Sequence, residues 1–189
     1  MAKLNVRGID THVEIWNEEA SQTLVALHGF TGSTETWRNL ASALPQVRIV
    51  AIDLIGHGQT AVPEHFSRFS MQEQLSDLEE VFHQLQLEKF TLLGYSMGGR
   101  IALSYAISYP TRVEKLILES ASPGLRTSEE RMERCERDHA LAEKNSSKWC
   151  GILCKCMGKK LRCSTRRNVY LQAYVKLFAK SDSLKVNTV

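Results

Sequence analysis

Hydrophobic and polar positions in the first 122 residues alternate between short strand-like runs and amphipathic helical runs. Lys3–Val6 and His12–Trp16 each alternate apolar and polar residues around Gly8-Ile9-Asp10, which predicts a β-hairpin. Four further apolar runs predict strands, and these are Thr23–Leu27, Arg48–Ile52, Phe90–Leu93 and Val113–Leu118. Strands that alternate with helices indicate βαβ units and a mostly parallel sheet.

The helical pattern is clearest after Ser70, which has Glu73 three positions on and so predicts a capping box. Spacings of three and four then place one set of apolar residues on a single helix face: Met71, Leu75, Leu78, Phe82 and Leu85. Shorter helices are predicted at Thr36–Leu44, which stops near Pro45, and at Arg100–Tyr109, which ends before Pro110.

The pattern changes at Pro123. A charged helix is predicted at Ser128–Lys144, and beyond Lys144 the only periodic stretch is a short helix at Val169–Phe178. We therefore expect three segments: residues 1–122, 123–144 and 145–189.

Composition places the chain among ordinary globular proteins. It has 189 residues, of which 43% are hydrophobic and 24% charged, enough for one domain with a packed core. No apolar run is long enough to span a bilayer, and the first ten residues lack the apolar centre of a signal peptide. We expect a cytoplasmic protein with no membrane insertion.

The net charge of +3 conceals a division between the two ends of the chain. Residues 145–189 contain ten Lys or Arg and one acidic residue, which leaves 14 basic and 20 acidic residues in 1–144. Four of the five cysteines also lie in this tail: Cys150, Cys154, Cys156 and Cys163. Such a break marks a domain boundary, a basic tail or sequence of different origin.

The tail admits three interpretations. Its cysteines do not repeat the paired spacing of structural zinc sites, which argues against a metal. Its charge would suit nucleic acid or an anionic membrane, although no nucleic-acid partner is expected. We favour the hypothesis that a frameshift replaces the native sequence from about Asn145. Sequencing the locus tests it.

The candidate chemistry lies at Gly94-Tyr95-Ser96-Met97-Gly98, a G-x-S-x-G motif between a predicted strand and a predicted helix. A serine on such a strained turn projects its hydroxyl from the sheet edge. The helix that follows directs its amides and positive dipole end at developing negative charge. The alternative is a glycine-rich turn with an incidental serine.

Two other loops strengthen the catalytic interpretation. His28-Gly29-Phe30 follows a strand where an oxyanion loop should lie, so its amides and that of Met97 could donate to a substrate oxygen. Asp53-Leu54-Ile55-Gly56-His57-Gly58 follows the next strand as a glycine turn. In order and spacing the three motifs resemble the α/β-hydrolase superfamily.

Within that superfamily, residues 1–144 resemble the 2-succinyl-6-hydroxy-2,4-cyclohexadiene-1-carboxylate synthases of menaquinone biosynthesis. The resemblance is carried by residues 27–33, by residues 94–100, and by Ser122-Pro123-Gly124-Leu125 with Glu129-Glu130-Arg131 and Arg134. It implies an α/β-hydrolase fold with a mostly parallel sheet, C-terminally incomplete, with the start of a helical cap in 123–144.

The resemblance also implies a lyase that eliminates pyruvate from 2-succinyl-5-enolpyruvyl-6-hydroxy-3-cyclohexene-1-carboxylate. Ser96 would belong to the triad that abstracts a ring proton, and the Phe30 and Met97 amides would line the oxyanion hole. Arg100 and Arg134 would hold the carboxylates of a small anionic substrate, with Tyr95 beside them. No cofactor or metal is implied.

The arginines can also be read from the residues alone. A cation in the first turns of a helix opposes the helix dipole, so Arg100 needs an anionic partner, which is either a substrate or a nearby glutamate. Arg134 follows Glu130 by four residues, so an ordinary solvated helix explains it about as well.

The rest of a triad is not found in the sequence. His28 and His57 match positions that the superfamily uses structurally, and the remaining histidines suit surface or packing roles: His12, His65, His83 and His139. Glu119 ends the last clear strand, but without a later histidine it cannot complete a relay. We therefore expect a truncated and inactive form. The alternatives are a serine esterase or carbon–carbon bond hydrolase of the superfamily, and a non-catalytic remnant or basic binding module.

Overall fold

The computed structural model describes residues 2–130, 132–134 and 136 of the chain. Their strands form one mixed sheet in the order β1-β2-β4-β3-β5-β6. The strands are β1 (Ala2–Val6), β2 (Ile9–Trp16), β3 (Gln22–Leu27), β4 (Val47–Ile52), β5 (Phe90–Tyr95) and β6 (Val113–Glu119). The pairs β4–β3, β3–β5 and β5–β6 are parallel, whereas β1–β2 and β2–β4 are antiparallel. The predicted mostly parallel sheet is confirmed.

The N-terminal hairpin has a two-residue turn at Arg7 and Gly8, whose φ angles are 49° and 85°. Turns of this length need positive φ at their centre to match the strand twist, which a glycine provides without steric cost. Val6 pairs directly with Ile9. The hairpin is thus as predicted, but Ile9 and Asp10 belong to the strand and not to the turn.

The helices differ from the prediction at their starts. The helix predicted at Thr36–Leu44 is a 3₁₀ helix at Thr34–Trp37 followed by α1 (Arg38–Ala43). It begins early because the Asp53 carboxylate accepts the Thr34 amide at 2.6 Å and fixes the first turn. Helix α3 (Met97–Ser108) starts directly after Ser96, three residues before the predicted Arg100.

Helix α2 (Met71–Gln84) has its predicted apolar face but only half of its predicted capping box, because the Glu73 carboxylate pairs with Arg7 at 2.9 Å. The Ser70 hydroxyl accepts the Glu73 amide at 3.3 Å, which satisfies one of the free donors of the first turn. The face that packs on the sheet contains Leu75, Leu78, Val81 and Phe82, all buried, with Met71 and Leu85 partly buried beside them.

Apolar side chains cover both faces of the sheet. On one face the Phe82 ring of α2 lies 4.5 Å from Phe90 of β5 and 5.3 Å from Tyr105 of α3, measured between centroids. On the other face, Trp37 and Leu40 pack against β3 and β4. Burial of each large side chain contributes about 1.5–3 kcal/mol, so both helical layers hold the central strands in place.

The fully buried Tyr105 keeps its hydroxyl satisfied by donating to the Glu79 carboxylate of α2. Arg112 pairs with the same carboxylate at 3.1 Å. Burial and the Glu79 carboxylate both raise the pKa of Tyr105 above its ordinary value. The phenol therefore stays protonated and ties α3 to α2.

Residues 123 onward begin a second compact unit. Its described part is helical at 128–130, 132–134 and 136, in line with the start of the predicted charged helix. Thr127 caps it: its hydroxyl accepts the Glu130 amide at 3.1 Å, and the Glu130 carboxylate accepts the Thr127 amide at 3.1 Å. The cysteine cluster, His139 and the helix predicted at Val169–Phe178 lie outside the described residues.

Candidate active site

Three loops meet at one edge of the sheet because β4, β3 and β5 are parallel neighbours. Leu27 at the end of β3 pairs with Ile52 of β4 and with Gly94 of β5. The 28–34 loop, the 53–60 turn and the single-residue turn at Ser96 follow these strands and therefore leave the sheet side by side. This edge, beyond the carboxyl ends of parallel strands, is where open α/β sheets bind ligands.

Ser96 occupies the sharp turn between β5 and α3, with φ 52° and ψ −109°. A non-glycine residue at positive φ costs about 1–3 kcal/mol and persists only where its surroundings fix it. Here the Ser96 amide donates to the Glu119 carbonyl oxygen of β6 at 2.8 Å. Within the described residues the Ser96 hydroxyl has no hydrogen-bond partner, and the residue is half-buried. The hydroxyl is thus left for a substrate or a base.

The two outer glycines of the motif let α3 cross the strand ends closely. A Cβ atom at Gly98 would overlap the carbonyl oxygens of Leu27 and His28, and one at Gly94 would overlap the Gly98 backbone. Only glycine fits positions this close to another backbone. Gly94 and Gly98 thus allow the turn at Ser96 and helix α3 to lie directly against the strand ends.

The predicted oxyanion donors belong to the two segments next to Ser96: Phe30 follows Gly29, which borders the serine, and Met97 follows Ser96 in the chain. Phe30 is in a tight turn closed by the Gly32 amide, which donates to the Gly29 carbonyl oxygen at 2.9 Å. A Cβ at Gly29 would lie 3.4 Å from the Ser96 Cβ, so this turn borders the serine. Met97 is the first residue of α3. Neither the Phe30 nor the Met97 amide has a hydrogen-bond acceptor among the described residues.

Tyr95 directly precedes Ser96 in the sequence, and Arg100 follows it by one helical turn. The Tyr95 ring packs over Gly29, where a Cβ would lie 3.0 Å from Tyr95 Cε1, and the side chain is 37% exposed. Arg100, one turn into α3, is exposed and has no side-chain hydrogen bond or ion pair with the part of the chain that the structure describes. The glutamate partner that would give Arg100 an ordinary surface role is absent from this part.

Arg134 lies in the second compact unit, where its side chain is exposed. The carboxylate of Glu130, its predicted helix-surface partner, accepts the Arg126 amide at 2.9 Å as well as the Thr127 amide. The Glu130 carboxylate thus caps the N-terminus of this helix. The role of Arg134 toward a substrate stays a prediction.

Comparison with known proteins gives the family. A sequence profile described as the alpha/beta hydrolase fold matches residues 22–146. The chain belongs to this family. The match includes all three loops at the sheet edge, among them the G-x-S-x-G turn that contains Ser96.

Two relatives with the same enzyme name are similar to this chain over about two thirds of its length. Over 124 residues the chain is 52% identical to a Bacillus subtilis (strain 168) protein provisionally named 2-succinyl-6-hydroxy-2,4-cyclohexadiene-1-carboxylate synthase, covering 66% of this chain and 45% of that protein. Over 121 residues it is 36% identical to the synthase of that name from Enterobacter sp. (strain 638), covering 64% of this chain and 46% of the relative. The chain thus spans about half the length of these relatives.

A solved structure supports the fold. The thioesterase domain from the curacin biosynthetic pathway superimposes with a TM-score of 0.63 at 24% identity, covering 73% of this chain and 52% of that domain. Within the described residues of this α/β hydrolase, no helix is long and apolar enough to cross a membrane.

Sequence reasoning did not anticipate the contacts of Asp53 in this α/β hydrolase. Asp53 is 1% exposed, and its carboxylate accepts the Thr34 amide at 2.6 Å and the Gln59 amide at 2.9 Å. Its carbonyl oxygen accepts the Thr60 hydroxyl at 2.7 Å. Asp53 therefore fastens the 53–60 turn to the 28–34 loop. An aspartate directly after a buried strand and before a glycine turn was the available signal.

His28 is fully buried, and its ring joins the same two loops. Its Nδ1 lies 2.8 Å from the Gly29 carbonyl oxygen, and its Nε2 accepts the Leu54 amide at 3.0 Å. Burial, helped by the nearby His57 ring, lowers the pKa of His28 to about 4. The ring is therefore neutral near pH 7, and its one lone pair, on Nε2, is already taken by the Leu54 amide, so it is not available as a base for Ser96.

The other described histidines do not complete a triad. His57 Nδ1 lies 3.0 Å from the Ile55 carbonyl oxygen, and its ring meets the edge of Phe30 at 5.8 Å between centroids. Among the described residues no histidine bonds to Ser96, and no three His, Cys, Asp or Glu side chains cluster as metal ligands.

Proposed function

We propose that this chain carries the nucleophile-elbow part of a 2-succinyl-6-hydroxy-2,4-cyclohexadiene-1-carboxylate synthase. Such an enzyme is a carbon–oxygen lyase that removes a ring proton from 2-succinyl-5-enolpyruvyl-6-hydroxy-3-cyclohexene-1-carboxylate and eliminates pyruvate. One observation carries the proposal. Ser96 has a strained backbone and a hydroxyl without a hydrogen-bond partner among the described residues, and the exposed Arg100 lies one helical turn away. The two named relatives support the choice of reaction.

The residues would have two kinds of role: proton transfer, and binding of negative charge on the substrate. Ser96 would act with a base on the ring proton, while the Phe30 and Met97 amides donate to the oxygen on which negative charge develops. Arg100 would hold a substrate carboxylate through a charge-assisted contact, beside Tyr95, and Arg134 would hold a second one. No cofactor or metal takes part in this scheme.

The chain as it stands is proposed to lack activity. Serine is a poor nucleophile and a poor base near neutral pH unless an adjacent group activates it. None of the described histidines bonds to Ser96, so the acid and base of a triad would have to come from other sequence.

A chimera tests the proposal. Residues 1–144 would be joined to the segment of the Bacillus subtilis relative that follows its matched region, and pyruvate release from the enolpyruvyl substrate would be measured. We expect release that the unextended chain does not give. Ester hydrolysis by a folded chimera without pyruvate release would instead favour the serine esterase alternative.

A further inference from the structure

We propose that His28 is a positioning residue that fixes the direction of the Phe30 amide by bridging the 28–34 loop and the 53–60 turn. The use of that amide as an oxyanion donor rests on the proposed function. The bridge itself rests on hydrogen bonds between described residues.

The two partners of the ring determine its protonation state. An amide N–H can only donate, so the Leu54 amide at 3.0 Å requires a bare Nε2. A carbonyl oxygen can only accept, so the Gly29 oxygen at 2.8 Å requires a proton on Nδ1. His28 is thus held as the neutral Nδ1–H tautomer, in a site that is 0% exposed.

The Gly29 carbonyl oxygen is also the acceptor of the turn that contains Phe30. The Gly32 amide donates to it at 2.9 Å, so the same oxygen receives the turn hydrogen bond and the His28 ring. Fixing this carbonyl fixes the peptide plane between Gly29 and Phe30, since the bond between them is planar. That plane carries the Phe30 amide, whose direction is thereby set.

The titratable groups next to His28, which are His57 and Asp53, form hydrogen bonds with other partners and do not compete for the two partners of the His28 ring. Its ring lies 5.2 Å from that of His57, centroid to centroid, and His57 bonds within its own turn to the Ile55 carbonyl oxygen. The Asp53 carboxylate is occupied by the Thr34 and Gln59 amides. His28 and Asp53 are therefore two separate clamps between the same loop and the same turn.

Two measurements on the full chain, without substrate, test the proposal. In the wild type, nitrogen-15 spectra at pH 7 should show His28 protonated at Nδ1 and bare at Nε2. In His28→Leu, hydrogen exchange of the Gly32 and Leu54 amides should accelerate about tenfold or more relative to the Leu92 amide in β5. His28→Gln, whose side-chain oxygen can accept the Leu54 amide, should restore much of the protection at Leu54.

His57→Leu is the matched control, because it removes a neighbouring imidazole that packs against Phe30 but makes no hydrogen bond to the 28–34 loop; it should leave both amides near wild-type rates. A protonated Nε2 in the wild type would overturn the proposal. So would equal acceleration of Gly32, Leu54 and Leu92 in His28→Leu, which would indicate only a loss of overall stability. Failure of pyruvate release in the chimera would leave these results unchanged, so the two proposals fail separately.

Discussion

The central residue of the site is Ser96, and its strained turn makes a specific prediction. In the active chimera, Ser96→Ala should lower pyruvate release at least about 1000-fold, because under the proposed function Ser96 and its triad partners act as a unit. The fold should survive, because the substitution removes only the hydroxyl. Circular dichroism and the unfolding midpoint should stay close to those of the parent chimera. Near-normal turnover in this variant would remove Ser96 from the mechanism.

Arg100 is expected to determine selectivity for charge. In the chimera, Arg100→Ala should weaken binding of the carboxylated substrate by about tenfold or more, since a lost charge-assisted contact costs on the order of 1.5–3 kcal/mol. Hydrolysis of a neutral ester should change far less, and Arg100→Lys should retain part of the effect. Equal losses for both substrates would indicate a structural role for the guanidinium.

His28 should make stability depend on pH in a defined window. Its pKa of about 4 in the folded protein lies below the ordinary value of 6.5, so protonation favours the unfolded chain. This contribution to stability is complete above pH 6.5 and is lost as the pH falls toward 4. Between pH 7 and pH 5 the wild type should lose about 1–2 kcal/mol of unfolding free energy that His28→Gln does not lose. Parallel curves for both proteins in denaturant titrations would contradict this.

At the scale of elements, the close crossing of α3 over β3 is the most sensitive contact. Gly98→Ala should destabilise the protein by about 1–3 kcal/mol, because the added Cβ would overlap two backbone carbonyl oxygens that cannot move independently. Ser108→Ala, at the exposed end of the same helix, is the control and should stay within about 0.5 kcal/mol of wild type. Chemical denaturation checks both. A neutral Gly98→Ala would mean that helix and strand lie further apart.

Most elements could be predicted from periodicity because they have one buried face. The spacing of Leu75, Leu78 and Phe82 sufficed for α2, and the β-branched run at Arg48–Ile52 sufficed for β4. Element starts were less predictable, since tertiary hydrogen bonds set them. The Thr34 amide is bound by Asp53, 19 residues later in the chain, and no local pattern contains that contact.

For the site as well, local features could be predicted from the sequence, whereas features that depend on tertiary contacts could not. The G-x-S-x-G spacing located Ser96, because the backbone strain and the close crossing at Gly98 are local demands. The bridge made by His28 and the position of Phe30 beside Ser96 depend on the register of three parallel strands. Strand order is a property of the whole sheet and could only be inferred through resemblance.

At the scale of the whole molecule, one sheet edge brings the Ser96 hydroxyl near the unbonded amides of Phe30 and Met97, and no described histidine forms a hydrogen bond with Ser96. Under the proposed function, in which the triad base comes from sequence outside this chain, catalysis by the 189-residue chain should be residual at most, supplied by the oxyanion donors and substrate binding. The assay is ester hydrolysis and pyruvate release by the purified chain. If turnover is robust, substitution of His57 and of His139 would show which one serves as the base.

The most direct test of the account compares pyruvate release from the enolpyruvyl substrate by three purified proteins side by side. These are the unextended chain, the chimera of residues 1–144 with the remainder of the Bacillus subtilis relative, and the Ser96→Ala chimera. Sustained release is expected from the chimera alone. Release by the unextended chain at the rate of the chimera, or no release by a chimera that folds cooperatively, would contradict it.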